Sequence, residues 1–403
     1  MDSRHVLEKL QATNPHAEIW WDSAPMVYEN WARKVLEKAP LEKKDLWRGQ
    51  LKRLFDPQHP EHTFFRGVTT NPPLSLGAVK DKPVFWADFV QKLIRDNPDK
   101  SVEQIFWLTY KKVVELGAKL FLPLWEKSNR THGYLSGQVD PRDCFDAERM
   151  LTQALDIAPI APNVMVKVPG TREGYQVIEE LTARGIATNN TLSFTVPQFV
   201  ACMEAVQRGL AKAKHDKVDL SRWRSVITHM SGRYGTLGDL KAQADSRRIT
   251  LSETDMRWAE LLIFKRAYRM LQERKHPSKM LMCSMKISPP MSDGSLASWH
   301  IEKIAGSDVV YACPPVYIEG LMQVEDQMKP FDPDAIYEEA PQPVLEKLLR
   351  LPYFVEAYEP DGMKREDFNK QAALIATAAE FSKAIRSTVD FIAQQFQVLG
   401  KMH

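Results

Sequence analysis

The sequence predicts an α/β fold: a closed (β/α)8 barrel carrying additional helices at the N-terminus, between strands 2 and 3, and at the C-terminus. Two observations predict it. Short apolar runs ending in small polar residues, Pro or Gly alternate with longer amphipathic stretches, the signature of parallel strands joined by right-handed crossovers. Eight such runs occur, which suits closure better than an open sheet.

In chain order the runs are EIWWD (Glu18–Asp22), RGVTT (Arg66–Thr70), GYLSGQV (Gly133–Val139), VMVKV (Val164–Val168), IATNN (Ile186–Asn190), SVITHM (Ser225–Met230), KMLMCS (Lys279–Ser284) and DVVYAC (Asp308–Cys313). Between them lie helical patterns. Arg172–Arg184 places Val177, Ile178 and Leu181 on one face, and Thr254–Glu273 and Ala373–Gln395 are longer. The connection between the second and third strands has room for helices at roughly 84–97, 101–118 and 120–129. The Pro-rich segment Met328–Pro352, acidic in its first half, reads as an irregular connection to the C-terminal helices. The expected organisation is a single domain over 1–403, with the barrel core at about 18–325 and a helical extension at about 330–403.

Composition narrows the function classes. Of 403 residues, 44% are hydrophobic and 26% charged, an ordinary globular balance. The 54 basic and 52 acidic residues nearly cancel and are interleaved, so no polyanion is favoured and no nucleic-acid partner is expected. No apolar run reaches the ~18 residues of a membrane span, so no membrane partner is expected. Cys144, Cys202, Cys283 and Cys313 form no C-x-x-C pair. Reduced thiols and a cytoplasmic setting follow, and the N-terminal stretch has no apolar region typical of a signal peptide.

Function in a parallel barrel gathers at the C-terminal ends of the strands. Those ends supply Asp22, Thr69, Asn71, Gln138, Lys167, Asn189, Thr191, Thr228, Ser284 and Lys286. Lys167 stands out. Alternation sends Val166 and Val168 to the helices and Lys167 into the barrel. Two readings are open: a strand lysine paired with a carboxylate, or a desolvated amine with a lowered pKa. The second is a nucleophile able to form an imine with a ketone. A protonated imine is an electron sink, so the C3–C4 bond of a ketose can break. His229 falls opposite Thr228 and Met230, facing the helices as a structural histidine would. His59 and His62 flank Pro60 with no third ligand nearby, which favours a solvated loop over a metal site.

Three stretches carry a resemblance to a known family. GVTTNP (Gly67–Pro72) is similar to the G-[VI]-T-T-N-P signature of transaldolases, VKVPGTREGYQVIEELTARGI to their active-site lysine segment, and TNNTLSF to their N-x-T-L-x-F stretch. The resemblance runs in order over roughly 18–325. It implies an enzyme that transfers a dihydroxyacetone unit between phosphorylated sugars through a Schiff base on Lys167, needs no metal or organic cofactor, and acts as a monomer or homodimer in the pentose phosphate pathway. Asp22 would take the substrate C4 hydroxyl proton, although an aspartate there can also cap the next helix. Asn71 and Asn189 would bind donor hydroxyls, and Thr191 would position water or a proton at the imine carbon. Thr69 and Thr228 would line the mouth, although Thr and Asn at strand ends are often turn formers. Arg233, Ser284 and Lys286 would hold phosphate.

Three positions depart from the family pattern. Gln138 stands where transaldolases carry a proton-shuttling glutamate, and glutamine accepts no proton. The fructose-6-phosphate aldolase-like branch also carries glutamine there, but pairs it with a tyrosine where this chain has Met230. Lys286 replaces an arginine, keeping the charge and losing the fork. A specialised aldolase or transaldolase acting on an unusual sugar phosphate, and a catalytically impaired sugar-phosphate-binding homologue, are therefore alternatives.

Overall fold

The structure is a computed structural model in which residues 3–400 are described. Eight strands close a barrel in sequence order: β1 (Glu18–Asp22), β2 (Gly67–Thr69), β3 (Tyr134–Gln138), β4 (Val164–Pro169), β5 (Thr188–Thr191), β6 (Ser225–Met230), β7 (Lys279–Cys283) and β8 (Val310–Cys313). Every neighbouring pair is parallel, and β8 returns to β1 through Glu18↔Val310 and Trp21↔Cys313. All eight expected strands are present, several a residue or two shorter than their apolar runs.

Alternation along β1 sets the layers of the barrel. Trp21 points outward into a cluster with Tyr28, Trp31 and Phe65, with ring centroids 5.0, 5.1 and 5.6 Å away. Glu18, Trp20 and Asp22 share the other face. Glu18 closes the N-terminal end of the barrel by binding Arg224 at 2.5 Å and Lys279 at 2.9 Å. Burial pushes its carboxyl up, but Arg224, His132 and Lys279 outweigh this and hold it well below the usual range. Trp20 lies above it, its indole N–H donating to Glu18 at 2.9 Å. Asp22 is left at the open end.

The helical readings need two corrections. The helices expected at 101–118 and 120–129 are one, Val102–Lys127. Ser101 and Gln104 form a reciprocal cap at its start. Gly117 does not interrupt it: a Cβ there would lie 2.6 Å from Leu135, so the glycine permits close packing on β3. Pro123 is also tolerated inside this helix, whose buried face runs from Ile105 to Trp125. The connection after Met328 is less irregular than expected, with a 3-10 turn at Ala335–Tyr337 and a helix at Gln342–Leu348. Lys265 pins this stretch by donating to the carbonyls of Ala335 and Glu338, both at 2.7 Å.

The C-terminal helix, Ala372–Val398, is capped by Gln371, whose Oε1 accepts from the Leu374 N–H at 2.8 Å. It packs across the helices Pro72–Asp81, Pro83–Asp96, Val102–Lys127 and Ser231–Leu237. Those elements follow β2 and β6, so the helix lies over the C-terminal end of the barrel. Among the described residues no helix is long and apolar enough to cross a membrane, and the four cysteines are buried and unpaired.

Gly67 opens the GVTTNP stretch for a steric reason. A Cβ there would lie 2.5 Å from the Trp20 indole, which is itself completely buried. Gly67→Ala is expected to lower stability by about 1–3 kcal/mol, read as a shift in the urea midpoint at unchanged slope.

Candidate active site

The barrel end farthest from Glu18 brings most of the expected residues together. β3, β4 and β5 run in register through Gln138↔Lys167↔Asn189. Lys167 is 4% exposed, and its Nζ donates to the Thr70 carbonyl at 3.1 Å, not to a carboxylate. The paired-lysine reading is therefore not realised. Burial lowers its pKa from the usual 10.5, while the charge of Asp22 partly restores it and Arg233 lowers it further.

Asp22 accepts from Thr69 Oγ1 at 2.6 Å. It caps nothing, because the 3-10 turn that follows (Pro25–Val27) starts at Ala24 without a side-chain cap. Desolvation raises its pKa above that of an ordinary aspartate, against the opposing pull of Lys167, Thr69 and Arg233. The lysine and the aspartate thus both shift toward neutrality, with burial as the common cause.

Asn189 is held from both sides. Its Nδ2 donates to Ser136 Oγ at 2.9 Å, and its Oδ1 accepts from Thr228 Oγ1 at 2.8 Å. Thr191 is fully buried, with its hydroxyl 3.9 Å from Met230 Sδ. Asn71 divides its amide: Oδ1 caps the helix Pro72–Asp81 by accepting from the Leu74 N–H at 3.0 Å, which leaves Nδ2 for other work. Gln138 is 1% exposed, and neither its Oε1 nor its Nε2 has a partner. A buried amide in that state calls for water or a ligand in the barrel mouth.

The expected phosphate group is more dispersed. Arg233, in the helix Ser231–Leu237, lies close enough to Asp22 and Lys167 to affect the ionisation of both. Its guanidinium is bidentate to Glu380 of the C-terminal helix, at 2.5 and 2.8 Å. Ser284 adopts a left-handed φ of 59° as the chain leaves β7. Lys286 is half-buried beyond it, and its backbone N–H donates to His300 Nδ1 at 3.0 Å. Because Nδ1 accepts, the proton of neutral His300 sits on Nε2, 2.8 Å from Glu260 Oε2. Arg257 meets the same carboxylate at 2.6 Å. All three side chains are fully buried and anchor the loop that carries Ser284 and Lys286.

Sequence reasoning missed Ser136, Cys283, Glu380 and the Arg257–Glu260–His300 set. Cys283 shares the inward face with Leu281, a parity that was available from KMLMCS. Burial pushes its thiol up to about 12, so it stays protonated. Ser136, Glu380 and His300 meet their partners across 40 or more residues of chain, and Arg257 and Glu260 are an i,i+3 pair whose burial no local pattern announces. His229 faces the helices as expected. It stands 5.4 Å from Phe199 and 6.2 Å from Phe264, and burial lowers its pKa to about 3. His59 and His62 are exposed in a turn before β2, at the opposite end of the barrel.

Thr228→Val would strand the buried Asn189 Oδ1. A loss of about 1–3 kcal/mol in chemical denaturation is expected. A loss below ~0.5 kcal/mol would show that this bond carries little of the layer's stability.

The family model for transaldolase/fructose-6-phosphate aldolase matches residues 50–377. A transaldolase of Thiobacillus denitrificans is 34% identical over 188 residues, 46% of this chain and 52% of that protein. A transaldolase of Mycobacterium tuberculosis is 30% identical over 172 residues, 42% and 45% of the two chains. Transaldolase 2 of Streptomyces avermitilis is 29% identical over 208 residues, 51% and 53%. The chain spans about half the length of the curated relatives it matches. Closed barrel, inward lysine and a family match over most of the sequence agree, and the chain belongs to the transaldolase/fructose-6-phosphate aldolase family.

Proposed function

We propose that this chain is a Schiff-base-forming enzyme of the transaldolase type, transferring a dihydroxyacetone unit between phosphorylated sugars. One observation carries the reading: Lys167 is buried inside the barrel end, with a depressed pKa, beside an aspartate whose pKa is raised. The neutral Lys167 amine attacks the C2 carbonyl of the donor ketose, the carbinolamine hydroxyl takes up one proton from solvent and leaves as water, and a protonated imine forms. Asp22, more basic than an ordinary carboxylate, accepts the C4 hydroxyl proton. The C3–C4 bond breaks, its electrons enter the imine to give an enamine, and an aldehyde departs. Addition to a second aldehyde and hydrolysis of the new imine complete the transfer.

The remaining roles follow from hydrogen-bonding capacity. Thr69 orients Asp22. Asn189 and the free Nδ2 of Asn71 bind donor hydroxyls. Thr228 fixes the Asn189 rotamer and lines the mouth. Thr191 and Gln138 hold water at the imine carbon, with Gln138 as a ligand of that water rather than its base. Arg233, Ser284 and Lys286 hold the phosphoryl group. The chain is read as one barrel domain over 1–403, cytoplasmic, and monomeric or homodimeric.

A second reading has a specific observation behind it. With Gln138 unpartnered and Met230 beside Thr191, the water at the imine carbon lacks a titratable partner. That favours an aldolase or a transaldolase with an unusual sugar phosphate. Gln138→Glu supplies a proton acceptor and is expected to raise turnover with fructose 6-phosphate and erythrose 4-phosphate, by up to about 10²-fold. A fall in turnover would remove the relay explanation.

Borohydride with fructose 6-phosphate is expected to add one reduced adduct, mapped to Lys167 and absent in Lys167→Ala. An unmodified Lys167 sinks the proposal. Because the lysine pKa is lowered, free amine appears at lower pH than on an exposed lysine. The trapping rate should therefore rise with pH through a midpoint below 10.5. A midpoint at or above that value contradicts desolvation as the activating cause.

A further inference from the structure

Arg233 is already holding an anion. Glu380 takes both terminal nitrogens of its guanidinium, at 2.5 and 2.8 Å, the end-on fork geometry a phosphoryl group would use. The adjacent residue, Phe381, lies under the same guanidinium with its ring centroid 5.3 Å away. Two consecutive residues of one helix therefore hold Arg233 by edge and by face. The arrangement is built in: Phe381 is fully buried, and Leu374, Ala378 and Ile385 share its inward face at helical spacing. Glu380 itself is about half-exposed, so the carboxylate can swing away without disturbing the core.

Charge bookkeeping at this corner is tight. Arg233 and Lys286 are the cations assigned to phosphate. Glu380 pairs with the first and Asp22 adds a further negative charge near it, whereas Lys286 feels Arg257 and Glu260 with opposite signs. A phosphate dianion entering here meets an Arg233 whose charge is already paired with Glu380.

We propose that Glu380 is a specificity-determining residue, an internal carboxylate that competes with the substrate's phosphoryl group for Arg233. The inference rests on the reading that Arg233 takes phosphate. It predicts that this chain binds phosphorylated ketoses more weakly than its cation set allows. Discrimination against unphosphorylated ketoses is correspondingly relaxed.

The test is Glu380→Gln, which keeps shape and removes charge. Calorimetric titration with inorganic phosphate should give a Kd lower by about fivefold than the unmodified protein. The KM for fructose 6-phosphate should fall in parallel, so that the ratio of KM for fructose to KM for fructose 6-phosphate rises by a similar factor. The gain in phosphate affinity should vanish in Arg233→Gln/Glu380→Gln, which places the competition on that guanidinium. Glu380→Asp, which draws the carboxylate back by one methylene, should show the same sign at smaller size and serves if Glu380→Gln does not fold. Unchanged or weaker phosphate binding in these variants overturns the proposal, as does a gain that survives loss of Arg233. The phosphate titration needs no turnover. A failure to trap an imine on Lys167 would overturn the catalytic reading while leaving this result to stand or fall by itself.

Discussion

An ammonium group buried in a closed barrel of backbone and apolar side chains is costly, and that cost organises this molecule's working end. Lys167 has one hydrogen bond, to a carbonyl, and no carboxylate at contact distance. Placing Asp22 in direct contact would have stabilised the charged amine. Instead Asp22 is tied to Thr69, near enough to moderate the desolvation of Lys167 but not to cancel it. The same burial makes Asp22 a better base. One low-dielectric environment thus shifts two opposite groups toward neutrality.

Such an environment requires rigid walls. The lower barrel supplies them through a stack on β1: Glu18 satisfied by Arg224 and Lys279, Trp20 filling the space above, and Gly67 leaving room for the indole. Asn189, bound by Ser136 and Thr228, forms the floor of the reactive layer. The loop after β7 is braced from behind by fully buried Arg257, Glu260 and His300, so Ser284 and Lys286 do not depend on surface contacts for their placement.

The C-terminal helix joins this site to a part of the chain far away in sequence. Its apolar face is core, and its next residue along is the carboxylate on Arg233. Packing and charge are therefore coupled: the helix cannot be seated without presenting Glu380 to the mouth.

Much of this was legible from the sequence. Eight apolar runs with stop residues sufficed for a parallel barrel, because strand period and crossover handedness are local consequences of the backbone. Alternation within VMVKV places Lys167 inside, and alternation within SVITHM places His229 outside. The two helices expected at 101–118 and 120–129 are one, Val102–Lys127, in which Gly117 is a contact requirement of tight packing on Leu135. The double duty of Asn71 and the lone amide of Gln138 were not visible, since a residue type does not reveal which of its atoms are spent. The sequence by itself determined the barrel, the inward lysine and the residue types at the strand ends, because each follows from short-range periodicity. Only the tertiary structure decided which cations are free, because that depends on groups such as Arg233 and Glu380, separated along the chain and joined by packing alone.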